Sequence, residues 1–241
     1  MSALTSTLLC LPGLGGGAWF FEALAPLMVG VCQLIAVDPP RPCSFDDEAA
    51  HIVQIARASD DRDRDGVYLL GHSMGVIIAF EALRQAPALV RGVILVGGLP
   101  EPPPAARVRI TARAEAIRQR SSLTGMGPEI AAANFSPRAQ RDQPALVAWF
   151  SDHIERQDPR VYAATAESLA AWTARPLPPL DYVRCLVIAG DEDRYAPPDA
   201  IRAFAQTLPA GTPVDIFPSC GHLPFLEDPA TVAARVTTFL R

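Results

Sequence analysis

The chain has 241 residues, 49% of them hydrophobic and 20% charged, with a formal net charge of −5 at pH 7. That length holds one α/β domain with a modest insertion, and that balance excludes a disordered chain. An acidic chain without a basic face is no candidate nucleic-acid binder, and no stretch has the apolar length of a membrane span.

The N-terminal "MSALTSTLLCLPG" carries no basic leader, and its apolar run is too short for a signal peptide, so the expected location is cytoplasmic. Five scattered cysteines, Cys10, Cys32, Cys43, Cys185 and Cys220, fit a reducing compartment, where each acts as a small buried hydrophobe.

A strand-like run at residues 7–11 leads into "LPGLGGGAWF". Gly13-Leu14-Gly15-Gly16-Gly17-Ala18 fits G-x-G-x-x-A, the dinucleotide fingerprint, and Asp38 ends the next apolar run where a ribose-binding acid would sit. A dinucleotide-binding protein is therefore one reading. Glycines in any strand-to-helix turn match this pattern by accident, and the second half of the chain gives that reading nothing to do.

Further short apolar runs follow at residues 32–37, 66–70, 92–96, 184–190 and 213–217. They are continuous rather than alternating, as in strands buried on both faces of a parallel sheet. Helical stretches separate them: "AWFFEALAPLM", "FDDEAAHIVQIARA", "MGVIIAFEALRQA", "PDAIRAFAQTL" and "PATVAARVTTFLR". Asp158-Pro159 and Asp228-Pro229 offer an N-cap followed by proline at the first helical position. The alternation predicts a mostly parallel, doubly wound α/β sheet with helices on both faces.

The regularity breaks after the strand ending near Val96. Between "LPEPPPAARVR" and "ARPLPPLDY" the pattern is helical and alanine-rich. The expected organisation is a core of residues 1–100 and 181–241 with a helical cap at 101–180, above the carboxyl ends of the strands where ligands bind in such sheets. Trp149, Phe150 and Trp172 fall on cap helices and are candidates either to line an apolar substrate pocket or to pack the cap itself. Trp19 and Phe20 read as core, His51 and His153 as surface, and "SDDRDRDG" and "RAEAIRQR" as solvated faces.

The strongest chemical signal is "LLGHSMGVIIAF". Gly71-His72-Ser73-Met74-Gly75 is G-x-S-x-G, directly after a strand and before a helix. A sharp strand-to-helix turn strains its apex residue, and small neighbours relieve the crowding. Ser73 is thereby held at the top of the sheet, and the Met74 N–H faces the same space. A serine hydroxyl needs a base, and the base needs an orienting carboxylate. His222 in "PSCGHLPFLEDP" follows the last strand run, and "LVIAGDEDRYAPPDA" supplies the acid as Asp193, with Asp191 as the alternative that could instead close a turn. His72 is assigned no catalytic part, and Cys220 is read as packing.

"GHSMG", "GDEDRYAPP" and "GHLPFLEDP", in this order, resemble the α/β-hydrolase superfamily, and "LPGLGGGAWFF" resembles its oxyanion loop. Among subfamilies, the length and compact helical cap look like the small carboxylesterases and enol-lactonases, and the spacing of "PGLGGGAW" also resembles plant esterases and hydroxynitrile lyases. The resemblance implies Ser73 as nucleophile, His222 as general base and acid, Asp193 as orienting acid, and the N–H groups of Leu14 and Met74 as oxyanion hole. It implies no cofactor and no metal, a small-molecule acyl substrate, and a serine hydrolase of esters, lactones or thioesters. A lyase, perhydrolase or acyl-transfer reaction on the same triad is the alternative. The chain departs from the family pattern at Pro12, where relatives carry histidine. It departs again after Asp38, where "PPRPCSFDDEA" replaces a glycine-containing turn, and in beginning almost directly at "TLLCL". The sequence sets no oligomeric state.

Overall fold

A computed structural model describes residues 6–38, 44–60 and 66–241. The apolar runs become strands β1 (Ser6–Leu11), β2 (Cys32–Ala36), β3 (Val67–His72), β4 (Val90–Val96), β5 (Arg184–Gly190) and β6 (Val214–Phe217). Every pairing between them is parallel, in the order β2-β1-β3-β4-β5-β6. The central strands are buried almost end to end, whereas β2 and β6, at the edges, are half-exposed. This accounts for the continuous apolar runs, since a central strand meets helices on both faces. Winding reverses between β1 and β3, which opens a crevice at the carboxyl ends of these strands.

Helices α1 (Phe45–Asp60) and α2 (Met74–Gln85) lie between the early strands, and α8 (Pro198–Ala205), α9 (Pro224–Glu227) and α10 (Pro229–Leu240) complete the second half. Asp158 and Asp228 cap helices as expected: Asp158 accepts from the N–H groups of Arg160 and Val161, and Asp228 from that of Thr231. Between β4 and β5 come α3 (Pro104–Arg120), α4 (Gly127–Asn134), α5 (Pro137–Asp142), α6 (Pro144–Glu155) and α7 (Pro159–Ala171), with no strand among them. Within this segment α3 packs along α7, and α4 along α6.

One expected helix is different. "AWFFEALAPLM" forms two short 3-10 helices, Ala18–Phe21 and Ala25–Met28, rather than one α-helix. Pro26 has no N–H for an α-helical ladder and its ring blocks the preceding turn. Cys10, Cys32, Cys185 and Cys220 are buried free thiols, and burial pushes Cys32 and Cys185 up to about 11. Cys43 and the turn after Asp38 lie outside the described residues. Among the described residues no helix is long and apolar enough to cross a membrane.

Candidate active site

Ser73 sits between β3 and α2 with φ 53° and ψ −115°, a backbone conformation that non-glycine residues rarely adopt. Its N–H donates to the Val96 carbonyl at 2.9 Å, and its own carbonyl accepts from the Val76 N–H at 3.0 Å. The flanking glycines are required by close approach. A Cβ on Gly71 would run into the Gly75 carbonyl, and one on Gly75 into the Leu11 carbonyl. Strand β1, the elbow and α2 therefore meet backbone to backbone beneath Ser73.

His222 stands in the loop between β6 and α9, and its Nδ1–H donates to Asp193 Oδ2 at 2.7 Å. The Asp193 side chain is fully buried, and its other oxygen accepts from the N–H groups of Tyr195 at 2.7 Å and Ala196 at 3.0 Å. A buried carboxylate is costly unless its lone pairs are met, and here three donors meet them. Asp191 is exposed, and its Oδ1 accepts from the Cys220 N–H at 3.2 Å, tying the loop after β5 to the loop after β6. Between the two acids, the structure brings Asp193 to the histidine.

The backbone of His222 is held as firmly as its ring. Its N–H donates to the Asn134 carbonyl at 2.7 Å, and its carbonyl accepts from His72 Nε2–H at 2.9 Å. That bond fixes the proton of His72 on Nε2, since a carbonyl can only accept. The other nitrogen, Nδ1, is buried without a hydrogen-bond partner among the described residues. Burial, and then the neighbouring His222, lower the His72 pKa well below the ordinary 6.5, so this ring is neutral. Gly221 is anchored too: its N–H donates to Glu227 Oε1 at 2.9 Å, and Glu227 also accepts from the Ser136 N–H at 3.1 Å and hydroxyl at 2.5 Å. Burial raises the Glu227 pKa, with the bonds from Ser136 and Gly221 pulling the other way.

Two partly open cavities, with about 360 and 410 Å³ of empty space counting the solvent at their mouths, adjoin this centre, and Ser73, His222, Ile110, Leu169 and Tyr195 belong to the walls of both. Met74, the first residue of α2, lines the first cavity, and Leu14 lines the second. Leu14 lies in a turn closed by the Gly16 N–H on the Gly13 carbonyl at 3.0 Å.

The expected pocket residues separate. Phe150 lines the second cavity. Trp149 instead packs against Trp19 and His153, with ring centroids 5.2 and 4.5 Å away. Trp172 lies against Phe45, under the Arg175 guanidinium, and donates Nε1–H to the Pro100 carbonyl at 3.1 Å. Neither tryptophan is on the wall of the two cavities. His153 is not a plain surface residue either: it is half-buried, stacked on Trp19 at 4.7 Å. Phe20 is core, as expected, and also reaches the second cavity.

Sequence reasoning missed His72, Asn134, Glu227 and the inward turn of Arg113, which lines the second cavity although "RAEAIRQR" reads as a solvated face. The one usable signal was position. Arg113 shares a helix face with the buried Ala106, Ile110, Ala114 and Ile117.

The dinucleotide reading does not survive this geometry. Asp38 Oδ1 accepts the Ala18 N–H at 2.7 Å, so the expected ribose acid caps the 3-10 helix after the glycines. A four-residue 3-10 helix also offers no extended dipole for a pyrophosphate.

Comparison with known proteins agrees with this architecture. A homoserine O-acetyltransferase from Deinococcus radiodurans is 28% identical over 193 residues, which cover 73% of this chain and only 58% of that protein. A thermophilic esterase from Thermogutta terrifontis superposes with a TM-score of 0.84 at 23% identity, covering 98% of this chain and 89% of the esterase. The enol-lactonase from Burkholderia xenovorans LB400 superposes with a TM-score of 0.80 at 18% identity, covering 98% and 91%. The sequence matches the alpha/beta hydrolase family over residues 8–235, and with the elbow, the parallel sheet and the histidine loop in their places, the chain belongs to that family.

Proposed function

We propose that the protein is a serine esterase acting on a small carboxylic ester, lactone or thioester through an acyl-enzyme. The observation that carries this is the buried Asp193–His222 pair, 2.7 Å apart, opening onto the cavities that the strained Ser73 elbow also lines. In this reading Asp193 holds His222 with its proton on Nδ1, which leaves Nε2 free to take the proton of Ser73. Ser73 Oγ attacks the carbonyl, and the N–H groups of Met74 and Leu14 receive the oxyanion. Collapse expels an alcohol, enol or thiol, protonated by His222. Water deprotonated by His222 then attacks the acyl-enzyme, and Ser73 is released. Pro12 has no N–H, but the donor required is that of Leu14, so the substitution leaves the hole available. Residues 101–180 act as a cap over the core of 1–100 and 181–241, and Phe150 of the cap supplies apolar wall.

The strain at Ser73 fits this role, since a residue at φ 53° persists only where the surroundings impose it. A fluorophosphonate probe tests the reading. It should label Ser73 stoichiometrically and abolish hydrolysis of aryl esters, and Ser73→Ala should remove both labelling and turnover. Labelling elsewhere, or an active Ser73→Ala, would refute it. The likeness to an O-acetyltransferase favours acyl transfer as a second reading, in which an alcohol replaces water in the last step. Product partition with added alcohols separates the two.

A further inference from the structure

Arg113 is a cation on the wall of the second cavity, on the buried face of α3. It donates to the Tyr162 hydroxyl at 3.3 Å and the Tyr195 hydroxyl at 2.5 Å, and its guanidinium lies 5.7 Å from the centre of the Tyr195 ring. Among the described residues no carboxylate lies within ion-pair distance of it. Burial raises the Tyr162 pKa despite the neighbouring Arg113, so that hydroxyl accepts as a neutral group. Arg109 approaches the same Tyr195 ring at 5.4 Å, adding a second positive charge rather than a counter-charge. Glu101 is the carboxylate on the cavity walls, and it faces the first cavity, held by the Ala174 N–H at 2.9 Å with Arg107 at 3.8 Å.

A half-buried guanidinium without a counter-ion is unusual, because removing its charge from water is costly unless another charge meets it. Two hydroxyls occupy two of its five N–H groups. The remaining donors suit a planar acceptor such as a carboxylate, which guanidinium binds in a fork. Ser73, His222 and Leu14 share this cavity wall.

We propose that the substrate carries a free carboxylate that pairs with Arg113, so that the enzyme acts on monoesters or lactones of dicarboxylic acids in preference to neutral esters. This rests on the esterase reading for the reaction but not for the binding. One monoanion matches Arg113, the charged side chain on the wall of the second cavity. The first cavity, whose Met74, Ile77 and Ala106 form an apolar wall opposite Glu101, takes the uncharged end of the substrate.

The test pairs turnover with binding. Hydrolysis of p-nitrophenyl hydrogen glutarate is compared with that of its neutral methyl ester, in wild type, Arg113→Met and Arg113→Lys. The wild type should prefer the anion in kcat/KM by about tenfold to a hundredfold, the scale of one charge-assisted pair. Arg113→Met should raise KM for the anion far more than for the neutral ester and so abolish the preference, and Arg113→Lys should keep part of it. Loss of both substrates equally would overturn the proposal, because a purely structural arginine has no reason to distinguish them. Calorimetry of glutaramate and neutral glutaramide with Ser73→Ala reads the same discrimination without turnover. Equal binding of the two, or no binding of either, overturns the proposal. Preferential glutaramate binding, with no Ser73 labelling by fluorophosphonate in the wild type, would support it and refute only the esterase reading.

Discussion

Replacing Asp193 by asparagine removes one charge and turns one acceptor oxygen into a donor. Which end becomes the donor follows from the neighbours. Oδ1 accepts the N–H groups of Tyr195 and Ala196, at 2.7 and 3.0 Å. Turning the new NH2 toward them would leave three buried donors facing one another, at about 1–3 kcal/mol for each unmet group. The amide oxygen therefore stays with Tyr195 and Ala196, and the NH2 faces His222 Nδ1. A donor there requires Nδ1 to be bare, which moves the imidazole proton to Nε2, so that in the proposed mechanism the ring could no longer take the proton of Ser73. Tautomer inversion of this kind lowers kcat by about 10⁴ in a serine protease. The expected loss here is about 10³–10⁴, or about 4–5.5 kcal/mol in the barrier. KM should change little, because Asp193 is not on the cavity walls. Asp191→Asn should stay within about threefold of wild type, since the amide oxygen can still accept the Cys220 N–H. Steady-state hydrolysis of p-nitrophenyl acetate measures both variants, with thermal unfolding as the check on folding. A folded Asp193→Asn enzyme within tenfold of wild type, or an Asp191→Asn variant that is the worse of the two, would refute the reasoning.

At the elbow, Ser73→Gly should be about 1 kcal/mol more stable than Ser73→Ala in urea unfolding, the reverse of the usual order, because only glycine relaxes at φ 53°. Equal stabilities would mean that the backbone there is unstrained. The fold holds His72 neutral with a lowered pKa, whereas in the unfolded chain it titrates near the ordinary 6.5. Its contribution is thus whole above about pH 6.5 and is lost as pH falls, at up to about 1.4 kcal/mol per pH unit. Unfolding of wild type and His72→Asn between pH 7.5 and 5 should show that slope as the excess of the wild type over the variant, and parallel curves would exclude it. Glu227→Ala strands the Ser136 N–H and hydroxyl and the Gly221 N–H. A loss of about 2–4 kcal/mol in stability is expected, together with lower kcat as the His222 loop loosens. Unchanged kcat in a folded variant would show that the clamp does not position His222.

Much of the architecture was legible because it is locally written. The β5 run "RCLVIAG" and the elbow "GHSMG" each state their conformation through neighbours in sequence: apolar side chains needed on both faces, and glycines where a Cβ would meet backbone. The two aspartate caps were legible for the same reason, since a cap bonds N–H groups two and three residues away. Choosing Asp193 over Asp191 was harder, because the two differ only in what lies across the loop.

The sequence by itself determined the order of strands and helices, the strained serine and the chain order of serine, acid and histidine. Tertiary structure alone decided which side chains face that centre. Trp149 and Phe150 are adjacent, yet only Phe150 reaches the cavity, because neighbours on a helix point about 100° apart and the docking of α6 selects the face. Arg113 belongs to a charged run that reads as solvent-facing, and it became a cavity wall only when α3 laid its Ala106–Ile110–Ala114–Ile117 stripe inward beside Tyr162 and Tyr195. Periodicity reports which residues share a face. What that face meets is fixed by contacts between elements far apart in the chain, and those contacts decide which side chains line the cavities.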